Sequence, residues 1–324
     1  MVATRRVRVL CLAVLSVLSA LPTARAGQAD TRQQVLISFD GAGPVAQWER
    51  ARALARRTGA HFTFFLSCAF LLTPQTRDAY RGPEGTRSNI GWAASRDDIA
   101  ARLRQIWAAR REGHEIAGHG CGHLDGTDWT GADWRLELSA FRDVLDRAWS
   151  INAIPHEPAA WREFVRDEVI GFRAPYLARG KGLDGALAAS GLRYDASLVS
   201  RGPVAPEASG GLTRFALPTI PEGPDGRRIL AMDYNLFVRH SGGFERGDED
   251  GALEQRTVRA FTAALDAELA GKRRPLQIGL HFTLMNGGAY WRALERFAAD
   301  ACARDDVVCA TYTEAVAGMA RPPS

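Results

Sequence analysis

"HEIAGHGCGH", residues 114–123, decides how this chain folds, because it admits two opposed readings. As a helix it would imitate the His-Glu-x-x-His face of zinc proteases. That reading fails, since three residues rather than two separate Glu115 from His119, and Gly118, Gly120 and Gly122 follow closely. The alternative is a short buried strand from His114 that runs into a glycine-rich exit loop, with His114 a structural histidine. His119 and His123 then stand four residues apart. Held extended they would lie about 13 Å apart, whereas one helical turn brings their β-carbons to about 5–6 Å. Gly120 and Gly122 permit such a curl, and the two imidazoles become candidate ligands of one divalent metal.

Working outward, the same alternation recurs. "QVLISFD" (Gln34–Asp40) is an apolar run ending in an acid and Gly41, and "VAQWERARALARRTG" has helical spacing with Gly59 as its stop. "AHFTFFLSC" reads as a second strand, and "SRDDIAARLRQIWAARREG" as a helix capped by Ser95 with acids in its first turn. Further along, "TGADWRLELSAFRDVLDRAWSI" and Leu183–Ser190 read as helices, and "VIGFRAP", "LRYDAS" and "RILAMDYNLF" as strands. "ALEQRTVRAFTAALDAELAGK" is helical, "LQIGLHF" a strand, and "YWRALERFAADACA" with "VVCATY" closes the series. Arg201–Arg228, rich in Pro and Gly, reads as long loops. Repeated strand–helix–strand units predict α/β architecture: parallel strands with helices packed outside.

The first 26 residues have the layout of a secretory signal. Arg5, Arg6 and Arg8 precede an apolar run too short to span a bilayer, and Ala24-Arg25-Ala26 offers a cleavage site. Removal after Ala26 takes Lys+Arg from 41 to 37, equal to the 37 Asp+Glu, so residues 27–324 are formally neutral. Such a chain lacks the positive field that favours nucleic acid or anionic membranes. The expectation is therefore an exported protein, periplasmic or secreted, with no nucleic-acid partner and no stable membrane insertion. Residues 27–324 suit one domain. Export permits disulfides: Cys302 with Cys309 would close a short loop, and Cys68 with Cys121 would join neighbouring strand ends, buried free thiols being the alternative.

In parallel α/β folds reactive groups collect beyond the carboxyl ends of the strands. Asp40, His119, His123, Arg173, Asp195 and His281 all fall there. Together "SFDGAG", "HGCGH", "RAPY", "DAS" and "GLH", in this order, make the chain resemble the polysaccharide deacetylase family, the NodB-homology group of metal-dependent carbohydrate esterases. The resemblance covers roughly Val35 to Thr313 and implies an irregular (β/α) barrel. It also implies hydrolysis of N-acetyl groups on an N-acetylated glycan, with a divalent metal, Zn first, as cofactor. On that pattern Asp40, His119 and His123 are the metal residues, and Asp40 also stands where the family's base does. Arg173 would orient Asp40, the Tyr176 N–H would hold the oxyanion, and His281 would protonate the leaving amine with Asp195 as its tether.

One departure stands out. The family's second aspartate falls at Gly41, which leaves open whether Asp40 is ligand or base; Asp125 is another candidate ligand. A small non-peptide amide is the alternative substrate, and a carbohydrate-binding protein without catalysis the alternative class. Asp233, Asn235, His240, Asn286, Tyr290 and Trp291 read as either cleft-lining or scaffold, Trp48 and Trp92 as scaffold, and "GPEGTRSNIGW" as a loop near the opening.

Overall fold

The computed structural model describes residues 31–85 and 87–319, so the signal-sequence reading of residues 1–26 lies outside the described residues. The strands are β1 (Gln33–Gly41), β2 (Thr63–Leu66), β3 (Glu115–Gly118), β4 (Gly171–Phe172), β5 (Tyr194–Ser200), β6 (Glu207–Ser209), β7 (Leu212–Glu222), β8 (Arg227–Leu230), β9 (Leu276–His281) and β10 (Val307–Ala310). The helices are α1 (Val45–Thr58), α2 (Arg96–Arg111), α3 (Gly131–Asp146), α4 (Ala148–Ile151), α5 (Trp161–Asp167), α6 (Leu183–Ala189), α7 (Asp233–Ser241), α8 (Ala252–Leu269), α9 (Ala289–Ala301) and α10 (Tyr312–Met319). Among the described residues no helix is long and apolar enough to cross a membrane.

β1 is central. It pairs in parallel with β9 along its length, with β10 at its start and with β2 at its end. From β2 the parallel order runs through β3, β4 and β5 to β7, where β6 and β8 add antiparallel pairs. The sheet curls until β7 approaches β9: Gln277 Nε2 donates to Ala216 O at 2.8 Å, and Met232 bridges Gly279. The result is a curled, mostly parallel (β/α) barrel of the kind the sequence predicts.

Alternation along the strands sorts the side chains into two cores. Val35, Ile37 and Phe39 of β1 face outward into a large apolar layer with Trp48, Phe64, Phe282 and Trp291. Each such buried aromatic contributes about 1.5–3 kcal/mol of transfer free energy. Leu36 faces inward with Phe65, Tyr194, Phe215 and Tyr312, and so do Ser38 and Asp40 by the same period. The barrel interior is thus partly polar.

Three readings are corrected. Arg201–Arg228 is not all loop but contains β6, β7 and the start of β8. Pro218 is the last β7 residue paired with β5 and its carbonyl accepts from the Ala231 N–H at 2.9 Å, while Pro221 lies beyond the β5 pairs and opposite Arg228 of β8. "RILAMDYNLF" is a strand only to Leu230; Asp233 begins α7. The long helical pattern ending at Ile151 breaks at Arg147 into α3 and α4. Both suggested disulfides are formed, Cys68–Cys121 and Cys302–Cys309. Ser95 caps α2, accepting from Asp98 N at 3.1 Å, and Gly59 ends α1 at φ +67°.

Candidate active site

Asp40 and His281 are directly paired positions on adjacent parallel strands, so their side chains leave the same face of the sheet at its carboxyl edge. Asp40 is 3% exposed, and its Oδ1 accepts from Arg173 Nη1 at 2.7 Å. Burial alone would raise its pKa; Arg173, then His119 and His281, outweigh burial and hold the carboxyl below its ordinary value. Arg173 is itself fixed on every side. It donates to Ser38 Oγ and Tyr312 OH, each at 2.8 Å, and to Ala196 O at 3.1 Å, and its guanidinium lies 4.2 Å from the Phe65 ring centre.

His281 is held through both ends of one carboxylate: Nδ1 lies 2.7 Å from Asp233 Oδ1, and its backbone N–H donates to Asp233 Oδ2, also at 2.7 Å. Trp291 Nε1 donates to the His281 carbonyl at 3.0 Å. Burial opposes charge on the imidazole, but Asp233, and after it Asp40, raise its pKa to about 9. With Nδ1 engaged, Nε2 is the free ring nitrogen.

Asp195 is therefore not the tether. Tyr194 and Ala196 belong to the inner core, so the pleat turns Asp195 to the outer face of β5. There it accepts from Ser197 N at 2.9 Å and from Arg179 Nε at 3.1 Å. The Ser197 hydroxyl also donates to Asp195 and accepts from Ala174 N at 2.7 Å, so Asp195 fixes the turn that follows Arg173. In that turn Tyr176 is left-handed at φ +58° and 60% exposed. The turn's own N–H groups at Leu177 and Ala178 bond back to Ala174 and Pro175, and the Tyr176 N–H stands outside them.

The His119–His123 segment is a bend, not the single helical turn its spacing suggests; Gly120 and His123 both take positive φ, +66° and +52°. The imidazole ring centres nonetheless come within 5.0 Å. His119 Nδ1 lies 2.8 Å from Arg173 O, leaving Nε2 free, while His123 Nδ1 is buried without a hydrogen-bond partner. Burial lowers the pKa of both, that of His119 to about 3, so both are neutral donors at neutral pH. Glu137 holds this bend by accepting from Gly122 N at 3.1 Å and from Cys121 N, and Cys68 ties it to β2.

Neutral imidazoles, one with an unpartnered buried nitrogen, suit a divalent cation in donor type. The set does not close, however: among the described residues no three His, Cys, Asp or Glu side chains form a metal-holding group. Gly41 supplies no carboxylate, and Asp40 gives one of its oxygens, Oδ1, to Arg173. Asp125 is exposed and accepts from its own turn at Thr127, so it adds nothing.

Of the remaining candidates only Asp233 enters the site. His240 bonds Glu222 Oε1 at 3.1 Å, and Asn286 donates to Ser241 Oγ and Tyr290 OH, so these are scaffold, as are Trp48, Trp291 and the partly buried Trp92. Asn235 is half-buried on α7. Within the 82–92 segment, Asn89 Nδ2 donates to Tyr176 OH at 2.8 Å.

No family model matches this sequence, and neither does any curated protein. Its fold does match solved structures. One is a Mycobacterium smegmatis protein assigned by name as a polysaccharide deacetylase: 18% identity, 93% of this chain and 95% of that one covered, TM-score 0.55. A Pseudomonas aeruginosa PAO1 protein with the same assignment gives 17%, 91% and 93%, and 0.53. The Puue allantoinase gives 15%, 91% and 93%, and 0.51.

Proposed function

We propose that this chain, whose fold is that of the polysaccharide deacetylases, is a hydrolase that removes N-acetyl groups from an N-acetylated glycan outside the cytoplasm. One observation carries the reading: Asp40 and His281 sit on paired positions of β1 and β9, each with its own fixed partner, Arg173 for the carboxylate and Asp233 for the imidazole. Two disulfides accord with an oxidising compartment, as do the first 26 residues.

In this reading Asp40 accepts a proton from water as the water oxygen attacks the acetamide carbonyl carbon. Its low pKa keeps it available as an acceptor, at some cost in basicity. The Tyr176 N–H donates to the oxygen that becomes negative. The carbon–nitrogen bond then breaks, and His281 Nε2 gives its proton to the departing amine while Asp233 holds Nδ1; the products are acetate and a free amine. A divalent cation, Zn first, would take His119 and His123 from the protein, against three protein ligands in catalytic zinc sites. When bound it would polarise the carbonyl.

The likeness to an allantoinase, at nearly the same score, favours a small amide as second reading. Acetate release from N-acetylglucosamine oligomers and peptidoglycan fragments, beside amine or ammonia release from small ureides, separates the two. Asp40→Asn should cut acetate release by about 10²–10⁴-fold while the protein stays folded. Turnover unchanged in that variant would remove Asp40 from the reaction.

A further inference from the structure

We propose that the excursion between β2 and α2 forms an anion-binding subsite, and that the glycan taken by this site carries an acidic substituent. Arg77, Arg81 and Arg87 line one depression of about 280 Å³ with Tyr80 and Trp92, and Asp78 is the acid among its described lining residues. Among the described residues none of these three guanidiniums has a hydrogen bond or ion pair, so all three are free to meet an anion. Residues 27–324 are formally neutral, so this local excess is not a share of a general positive charge.

The fold does not need these arginines to hold the excursion. Thr73 N donates to Thr76 Oγ1, Asn152 Nδ2 to Leu71 O, and Ala93 N to Leu72 O, all within 2.9 Å. Its position is that of a substrate-facing element, since it leaves β2 at the carboxyl end where Asp40, His119 and His281 gather. Tyr80, the back of the depression, donates to Glu137 Oε2 at 2.7 Å, and the other oxygen of Glu137 holds the Cys121 and Gly122 amides between the paired histidines. Asn89 N donates to Gly122 O at 3.1 Å, and its side chain reaches Tyr176. One hydrogen-bonded network thus joins the arginine depression to the histidine bend and the Tyr176 lip. Guanidinium forks match carboxylate or sulfate oxygens in pairs, and half-buried Trp92 offers a flat apolar face to a sugar ring.

The inference deepens the glycan reading and rests on it for the identity of the ligand, so its test is a binding measurement that does not require turnover. Calorimetry would compare an N-acetylated disaccharide bearing a free carboxylate, its methyl ester and a sulfate ester, at low and high salt. The acid should bind about tenfold or more tightly than the methyl ester, salt should narrow the gap, and the triple variant Arg77→Gln, Arg81→Gln, Arg87→Gln should bring the two within about twofold. Arg77→Gln and Arg81→Gln alone should each give a partial loss, which covers a triple variant that misfolds. Tighter binding of the sulfate, lost in the same variants, also supports the subsite and names its occupant. Equal affinity for acid and ester in the unaltered chain, or a preference that survives the substitutions, overturns it. Absence of acetate release from every glycan would defeat the hydrolytic reading alone, because the acid–ester difference is read independently.

Discussion

Asp233→Asn tests the site at its most specific joint. In the unaltered protein Asp233 accepts from both the ring and the backbone nitrogen of His281, and the imidazole, 29% exposed, titrates at about 9 in place of 6.5. That difference corresponds to about 3 kcal/mol in favour of imidazolium. Burial and Arg173 work against it, so the charge depends on Asp233 and, less, on Asp40. Asparagine keeps the shape but has no negative charge, and its amide must set an N–H against one of the two His281 donors. The pKa should then fall by about 2, to about 7. At pH 8 about nine-tenths of His281 is protonated before the change and about one-tenth after it, so acetate release should drop about tenfold at pH 8 and little at pH 6.

The assay is the pH profile of kcat/KM for acetate release, with Asp195→Asn beside it. The basic limb should move from about 9 toward 7 in Asp233→Asn and stay in place in Asp195→Asn, where the turn after Arg173 loosens instead. Stability gives a second readout. A pKa raised by folding stabilises fully below about 6.5 and ceases to do so as pH climbs through about 9. The melting-temperature deficit of Asp233→Asn should therefore be largest near pH 6 and narrow above pH 9. A basic limb that stays near 9 without Asp233 would refute the assignment of His281 as a charged acid held by that carboxylate.

Zinc titration of the metal-free protein should show weak binding, well short of the about 10–16 kcal/mol of closed structural sites, and His119→Ala should weaken it further; tight one-to-one binding would mean a third protein ligand joins the pair. Opening the Cys68–Cys121 bridge with paired Cys→Ala changes should cost about 4 kcal/mol from its 53-residue separation and lower activity with it, since the bridge anchors the histidine bend; denaturant melts read the first and acetate release the second.

The barrel is legible from the chain because its signals are local: alternation at period two, helical spacing at 3.6, caps such as Ser95, and stops such as Gly59. What the sequence conceals is non-local. Prolines 218 and 221 read as loop because nothing nearby says that the first meets Ala231 through its carbonyl and the second lies past the last β5 pair. The tether of His281 is hidden in the same way. An Asp-x-Ser motif points to Asp195, but a strand presents alternate faces, and Tyr194 and Ala196 take the inner one. Asp233 is separated from His281 by 48 positions and reaches it only because Met232 bridges Gly279, bringing the first turn of α7 against the end of β9. A usable signal was present: an acid closing "RILAM", itself at the carboxyl end of a strand, is placed as Asp40 is placed after "VLISF". By that criterion the two carboxylates belong together, one kept ionised by an arginine and the other holding an imidazolium. The pairing of opposite charges across β1 and β9 then follows from strand order more than from any motif.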